Sequence, residues 1–313
     1  MFQTVEFPSE GATLRGRLYL PKGLPGPAPV VIMAHGFSAT INGMVADHYA
    51  EVFQRGGMAV LLYDHRNFGL SGGEPRQEIN KWVQARGYRD AINHVVTLPS
   101  IDPGRIALWG DSLSGAEVIL VGAVDTRVGL IVAQVPACGE HPLPADPNGQ
   151  RFAAIREMFL HGDLNAEPRD TLGPMPVVSF DPVGTPCLLT PLTAFRWFIE
   201  HGGQYGTTWE NRATVISPGV QVAFHAGLCS PHIEVPLFMI IAREDEMPGS
   251  NSGIARAVFD AATAPKELME IDGGHFGLLE YPGPLFDEVS LAQVDFLNRH
   301  LAAAPVPASS IKE

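Results

Sequence analysis

Three observations predict an α/β fold with a mostly parallel sheet and helices on both faces. Short apolar runs alternate with helix-forming stretches over residues 1–137 and again from about residue 233. One run, Ile106 to Trp109, passes through Gly110 and Ser112 into an apolar helix-forming stretch, Ala116 to Val124. Between residues 138 and 232 the alternation stops, and proline, glycine and scattered aromatics take over. Strand–helix alternation favours parallel strands, because each return to the same end of a sheet needs a crossover.

The elements follow in order. Val5 to Phe7 and Ala12 to Leu20 read as an opening antiparallel hairpin with Gly11 in the turn, and Pro21 to Pro29 as a linker. Val30 to Ala34 is a buried strand and Ala46 to Arg55 a helix stopped by Gly56 and Gly57. Ala59 to Asp64 is a strand and Asn80 to Thr97 a helix; the run at Ile106 and its helix come next, then a strand at Val128 to Val135. Beyond the insertion, Val235 to Ile241 and Leu268 to Ile271 read as strands, with helices near Asn251 to Ala262 and Leu285 to Leu301. Ala302 to Glu313 reads as a frayed tail. The insertion holds two plausible helices, near Gln150 to Leu160 and Thr190 to His201. A segment this long between sheet strands is either a cap or disordered, and its aromatic content argues for packing. The expected organisation is a core of residues 1–137 and 233–313 under a mainly helical cap of residues 138–232.

The turn at Ser112 carries the chemistry. Strand, small residue, x, Ser, x, small residue, helix is the pattern of a nucleophile elbow. The turn is too sharp for bulky neighbours, and Gly110 and Ser114 supply the small residues, with Gly115 one place later. A hydroxyl near neutral pH needs a base, and the base needs an orienting group. Downstream, Glu244, Asp245 and Glu246 follow a buried strand, and Asp245 is the expected orienting carboxylate. An acid after the strand Val128 to Val135 is the alternative. His275, carried by the Gly273-Gly274 loop after the next strand, is the expected base. Acyl transfer also needs two backbone N–H donors aimed at the developing oxyanion. The amides of Leu113, just after the nucleophile, and Phe37, after the strand ending at Ala34, fit that role. His35 is expected to be structural.

These pieces together resemble the α/β-hydrolase superfamily over roughly residues 1–137 and 232–301. Tyr63-Asp64-His65-Arg66-Asn67-Phe68-Gly69-Leu70-Ser71 is similar to the family's Asp-x-Arg-Gly-x-Gly-x-Ser loop, with Asn67 where glycine is usual. Ile101 to Ile106 resembles the dienelactone-hydrolase, acetyl-esterase and prolyl-peptidase branch. The resemblance implies a structural part for Asp64 and Arg66. It is specific for the superfamily and weak for substrate. Gly110-Asp111-Ser112-Leu113-Ser114 also spells the signature of the unrelated flavodoxin-like esterases. There the serine block follows the first strand, whereas here a full set of strands precedes it.

Composition narrows the partners. There are 34 acidic against 21 basic residues, a formal net charge of −13, and no Lys/Arg cluster. Nucleic acid and anionic membrane are therefore not expected partners. Cys138, Cys187 and Cys229 show no metal-ligand spacing and read as buried thiols in a reducing, cytoplasmic setting. No signal-peptide pattern is visible at Met1 to Glu6, no apolar run reaches spanning length, and no glycine-rich phosphate fingerprint appears. The expected function is hydrolysis of a carboxylic ester, lactone or thioester through an acyl-enzyme on Ser112, without cofactor or metal. An acyltransferase shares that intermediate, and a peptidase or amidase and a catalytically dead binding module are the remaining alternatives. The expected substrate is a small-molecule ester, moderately large and apolar or aromatic, met by cap residues such as Trp197 and Trp209.

Overall fold

A computed structural model describes residues 1–167, 169–220 and 222–301 of the chain. In chain order the core begins with β1 (Phe2–Ser9), β2 (Ala12–Tyr19), β3 (Ala28–Ala34), α1 (Ala46–Arg55), β4 (Ala59–Tyr63), β5 (Glu78–Ile79) and α2 (Lys81–Val95). It continues through β6 (Ile101–Asp111), α3 (Ser112–Val124) and β7 (Val128–Gln134). Then come α4 (Gln150–His161), β8 (Asp170–Met175), α5 (Leu192–Trp197), β9 (Ala213–Ser217) and α6 (Ala226–Cys229). The chain closes with β10 (Leu237–Ala242), α7 (Ser252–Ala261), β11 (Lys266–Ile271) and α8 (Pro284–Leu301).

Eight strands form the main sheet in the order β1-β2-β4-β3-β6-β7-β10-β11. The opening hairpin is antiparallel, and β2 meets β4 antiparallel. From β4 onward every pairing is parallel. Glu10 and Gly11 turn the hairpin with φ of 45° and 76°, the left-handed pair that a two-residue hairpin turn requires. Strands β3, β4 and β10 are buried at every residue, because helices cover both faces of a parallel sheet. Alternate side chains feed two cores: Val30 and Ile32 pack with α2, α3 and α7, and Val31 and Met33 pack with α1 and α8. Helix α1 shows how the sequence places a helix here, with Ala46, Tyr49, Ala50 and Phe53 buried along one stripe.

The segment between β7 and β10 contains the two helices read from the sequence, and more. Helix α5 runs into a single π-helical turn, Phe198–Gly202. Strands β8 and β9 pair antiparallel, and β9 pairs parallel with β5 from the core, giving a separate three-stranded sheet. That sheet was not legible, because Asp170 to Met175 is largely exposed and carries Gly173 and Pro174, residues depleted from strands. Helix α2 ties the segment down. The Arg86 guanidinium donates to the carbonyls of Phe159 (2.8 Å) and Gly162 (2.7 Å) at the end of α4. Asn80 accepts from Trp82 N at the start of α2 while its amide donates to Leu164 O (2.9 Å). Among the described residues no helix is long and apolar enough to cross a membrane. The stretch Ala302 to Glu313, read as a tail, lies outside the described residues.

Candidate active site

The C-terminal ends of β3, β6, β10 and β11 open into one cavity of about 230 Å³, lined by Phe37, Ser112, Leu113 and His275 among others. Such a crevice at the carboxyl ends of parallel strands is where open α/β sheets bind ligands.

Ser112 stands at the junction of β6 and α3 with φ +54°. A non-glycine residue in that region costs about 1–3 kcal/mol unless its surroundings enforce it. Here the surroundings are crowded backbone. A Cβ at Gly110 would run into the carbonyl of Ser114. A Cβ at Gly36 would stand 2.8 Å from Ser112 Cβ and 3.1 Å from Leu113 N. Gly36 therefore keeps open the space between Ser112 and the amide of Leu113. The sequence reading passed over it, although its place between His35 and Phe37 was the available signal. Among the described residues no backbone acceptor takes a hydrogen bond from Phe37 N or Leu113 N, and both residues line the cavity.

The three competing acids separate cleanly. Asp245 Oδ2 meets His275 Nδ1 at 2.8 Å, with both side chains almost wholly buried, and its Oδ1 accepts from Met247 N at 3.0 Å. Glu244 instead accepts from Gly273 N (2.6 Å). Glu246 accepts from His275 N (3.0 Å) and from the Thr193 hydroxyl. Asp245 thus meets the imidazole, while its neighbours hold the backbone of the loop that carries it. Ser112 and His275 line the same cavity without a hydrogen bond between them among the described contacts. Such catalytic hydrogen bonds are often loose before substrate arrives.

Behind the elbow lies a buried polar cluster. Asp111 accepts from Gly36 N (3.1 Å) and faces His35 Nδ1 (3.3 Å), while His35 Nε2 meets Met44 O (2.8 Å). Burial works against charge on His35, but the carboxylate of Asp111 outweighs it and raises the imidazole above its usual value. His35 does not line the cavity; it braces the turn that presents Phe37. Ser114, expected only to be small, is fully buried and sits 2.8 Å from His65 Nε2, 2.9 Å from His35 O and 2.9 Å from Glu117 Oε2. Burial lowers the His65 imidazole to about 3, so it is neutral, and holds the Glu117 carboxyl well above the usual range. The Ser114 hydroxyl can donate to His35 O or to Glu117 Oε2 while accepting from His65 Nε2, and His65 Nδ1 and Glu117 Oε1 have no partner among the described residues. Neither His65 nor Glu117 stood out in the sequence, since nothing local marks a partner some fifty residues away.

The expected cap contacts divide. Trp197 lines the cavity, stacks on Phe276 with centroids 5.0 Å apart, and donates from Nε1 to Leu279 O (2.9 Å). Trp209 does not line it. It stacks on Phe198 (5.3 Å), which does, and so stands one layer back from the expected substrate contact. Phe198, Leu172, Leu189 and Val215 complete an apolar wall from the segment between β7 and β10, with Val215 on β9. Among the described residues no cluster of three or more His, Cys, Asp or Glu could hold a metal ion.

The profile of the alpha/beta hydrolase family matches residues 31–288. The chain belongs to the alpha/beta hydrolase family. It is 33% identical over 315 residues to a thiohydrolase of Aspergillus aculeatus, covering 96% of this chain and 94% of that protein. It is 28% identical over 312 residues to a polyketide transferase of Aspergillus fumigatus, covering 96% and 98%. An alpha/beta hydrolase of Penicillium sp. sh18, solved by crystallography, superposes with a TM-score of 0.72 at 28% identity, covering 97% of this chain and 100% of that one. Asn67 has φ +75°, a left-handed conformation that asparagine tolerates better than most residues.

Proposed function

We propose that this chain cleaves a carboxylic ester or thioester through an acyl-enzyme on Ser112. One observation carries the reading: His275, which meets Asp245 at 2.8 Å, lines the same cavity as Ser112. Ser112 Oγ attacks the substrate carbonyl as His275 Nε2 takes its proton. Asp245 keeps the other ring proton on Nδ1 and stabilises the imidazolium. The tetrahedral oxyanion lies against the amides of Phe37 and Leu113. Its collapse expels an alcohol or thiol, which receives the proton from His275. Water then attacks the acyl-enzyme and gives its proton to His275, and collapse of the second tetrahedral intermediate releases the acid as His275 returns that proton to Ser112 Oγ.

Transfer is the second reading. An alcohol or amine that replaces the water gives a new ester or amide, and a relative named as a polyketide transferase favours keeping it. The relative named as a thiohydrolase favours a thioester among the substrates. Residues 138–232 act as a cap, in which Phe198 and Trp197 face the substrate and Trp209 backs them. The apolar wall suits an apolar or aromatic acyl group. The protein's acidity gives nucleic acid or an anionic membrane no purchase. Three buried free thiols suit a reducing, cytoplasmic setting.

Replacing Ser112 with alanine tests the reading. Turnover of a p-nitrophenyl ester and of an acyl thioester falls on the order of a millionfold, with thermal unfolding unchanged. Near-normal turnover by folded Ser112→Ala overturns it.

A further inference from the structure

Among the described residues lining the cavity, Lys81 is the one lysine or arginine, and Asp111, which faces His35 Nδ1, is the one carboxylate. Lys81 opens α2, directly after β5 and the capping Asn80. A positive charge in a first helical turn faces the positive end of the helix dipole, so helix stability does not account for it. Among the described residues no carboxylate forms an ion pair with Lys81, and no acceptor takes a hydrogen bond from its ammonium group. Lys81 is open to solvent, yet burial pulls its ammonium below the usual lysine value against the opposing influence of Glu117. A side chain that faces a cavity rather than bulk water has both properties. The Lys81 ammonium thus lines the cavity without a recorded hydrogen bond or ion pair among the described residues, together with apolar walls that include Leu172, Leu189 and Val215.

We propose that Lys81 recognises an anionic oxygen on the acyl group of the substrate, such as a carboxylate, enolate or phenolate, while the apolar walls hold the chain between that oxygen and the carbonyl at Ser112. The inference rests on acyl transfer at Ser112 and narrows its substrate class from apolar acyl groups to apolar acyl groups ending in an acidic oxygen. A charge in a poorly solvated cleft attracts its partner more strongly than it does in water. A site built around such a group also rejects an analogue that lacks it.

The test uses the full chain and mixed p-nitrophenyl esters of adipic, suberic and sebacic acids. Each is compared with the same compound capped at its far end as a methyl ester, and p-nitrophenol release is followed. In the wild type, kcat/KM favours the free acid over its capped partner by tenfold or more at one chain length. Lys81→Met brings that ratio down at least tenfold, chiefly through KM, whereas Lys81→Arg retains most of it. A wild-type ratio near one at every chain length overturns the proposal even if Lys81→Met fails to fold. So does a ratio that Lys81→Met leaves unchanged. Failure of the hydrolase reading is distinct: p-nitrophenol release would then persist in Ser112→Ala or be missing with every ester, charged or capped.

Discussion

Ser112 keeps its left-handed backbone because the residues around it leave no other path. Gly36 and Gly110 each sit where a Cβ would strike the elbow, so the strain is stabilised by packing on both sides of the turn. At the same scale, only one of three adjacent acids reaches the imidazole. Asp245→Asn is expected to reduce kcat on the order of ten-thousandfold, since the amide favours the wrong tautomer of His275. Glu244→Gln and Glu246→Gln each weaken a backbone hydrogen bond worth about 1 kcal/mol, so each loses tenfold or less. Steady-state kinetics on the three variants check this, and equal losses at all three would contradict it. The sequence favoured Asp245 among these acids, each just past β10, and kept an acid after the strand at Val128 to Val135 as the alternative. What separates them, the direction of each carboxylate, depends on the loop Asp272 to His275 that packs above them.

Elements built from local signals were legible. Helix α1 runs from Ala46 to Arg55 as its apolar stripe and the following glycine pair suggest, and Asn80 and Asn251 cap α2 and α7. The small sheet of β5, β9 and β8 was not, because its strands are short, exposed or interrupted, and β5 pairs across the chain with a strand far downstream. The cluster beneath α3 was hidden for the same reason: it joins β3, the loop after β4, and α3. His65 there makes stability depend on pH. Its folded value of about 3 lies below the ordinary value of 6.5, so the unfolded chain binds the proton more readily. That contribution is fully present above pH 6.5 and is lost as pH falls toward 3. Buried Asp64 acts in the opposite sense, since burial, against hydrogen bonds from Leu70 N and Ile41 N, raises its carboxyl to about 6. Its contribution is greatest below pH 4 and falls as pH rises through 6. Urea unfolding of His65→Gln between pH 4 and 7 is expected to show a smaller loss of stability on acidification than the wild type. Identical pH profiles would contradict the assignment of a neutral His65.

At the scale of the whole molecule, the strand ends of the sheet carry Ser112, Asp245 and His275, and the segment between β7 and β10 supplies apolar residues to the cavity that Ser112 and His275 line. Phe198 is the cleaner probe of those apolar residues. Trp197 also stacks on Phe276, next to His275, so its loss disturbs the base as well. Phe198→Ala is expected to change kcat/KM for long and aryl p-nitrophenyl esters by tenfold or more, and for the acetyl ester by about threefold or less. Trp209→Ala, one layer back, shifts the same profile in the same direction by less. A uniform fall across the panel would place Phe198 outside substrate selection. The central claim is that Ser112 becomes covalently acylated. Titration with a fluorophosphonate, followed by peptide mass mapping, tests it most directly. The account predicts one equivalent of phosphonate, bonded to Ser112 Oγ, with loss of all esterase activity and no labelling of Ser112→Ala. Label on another residue, or full activity after exhaustive treatment, would contradict it.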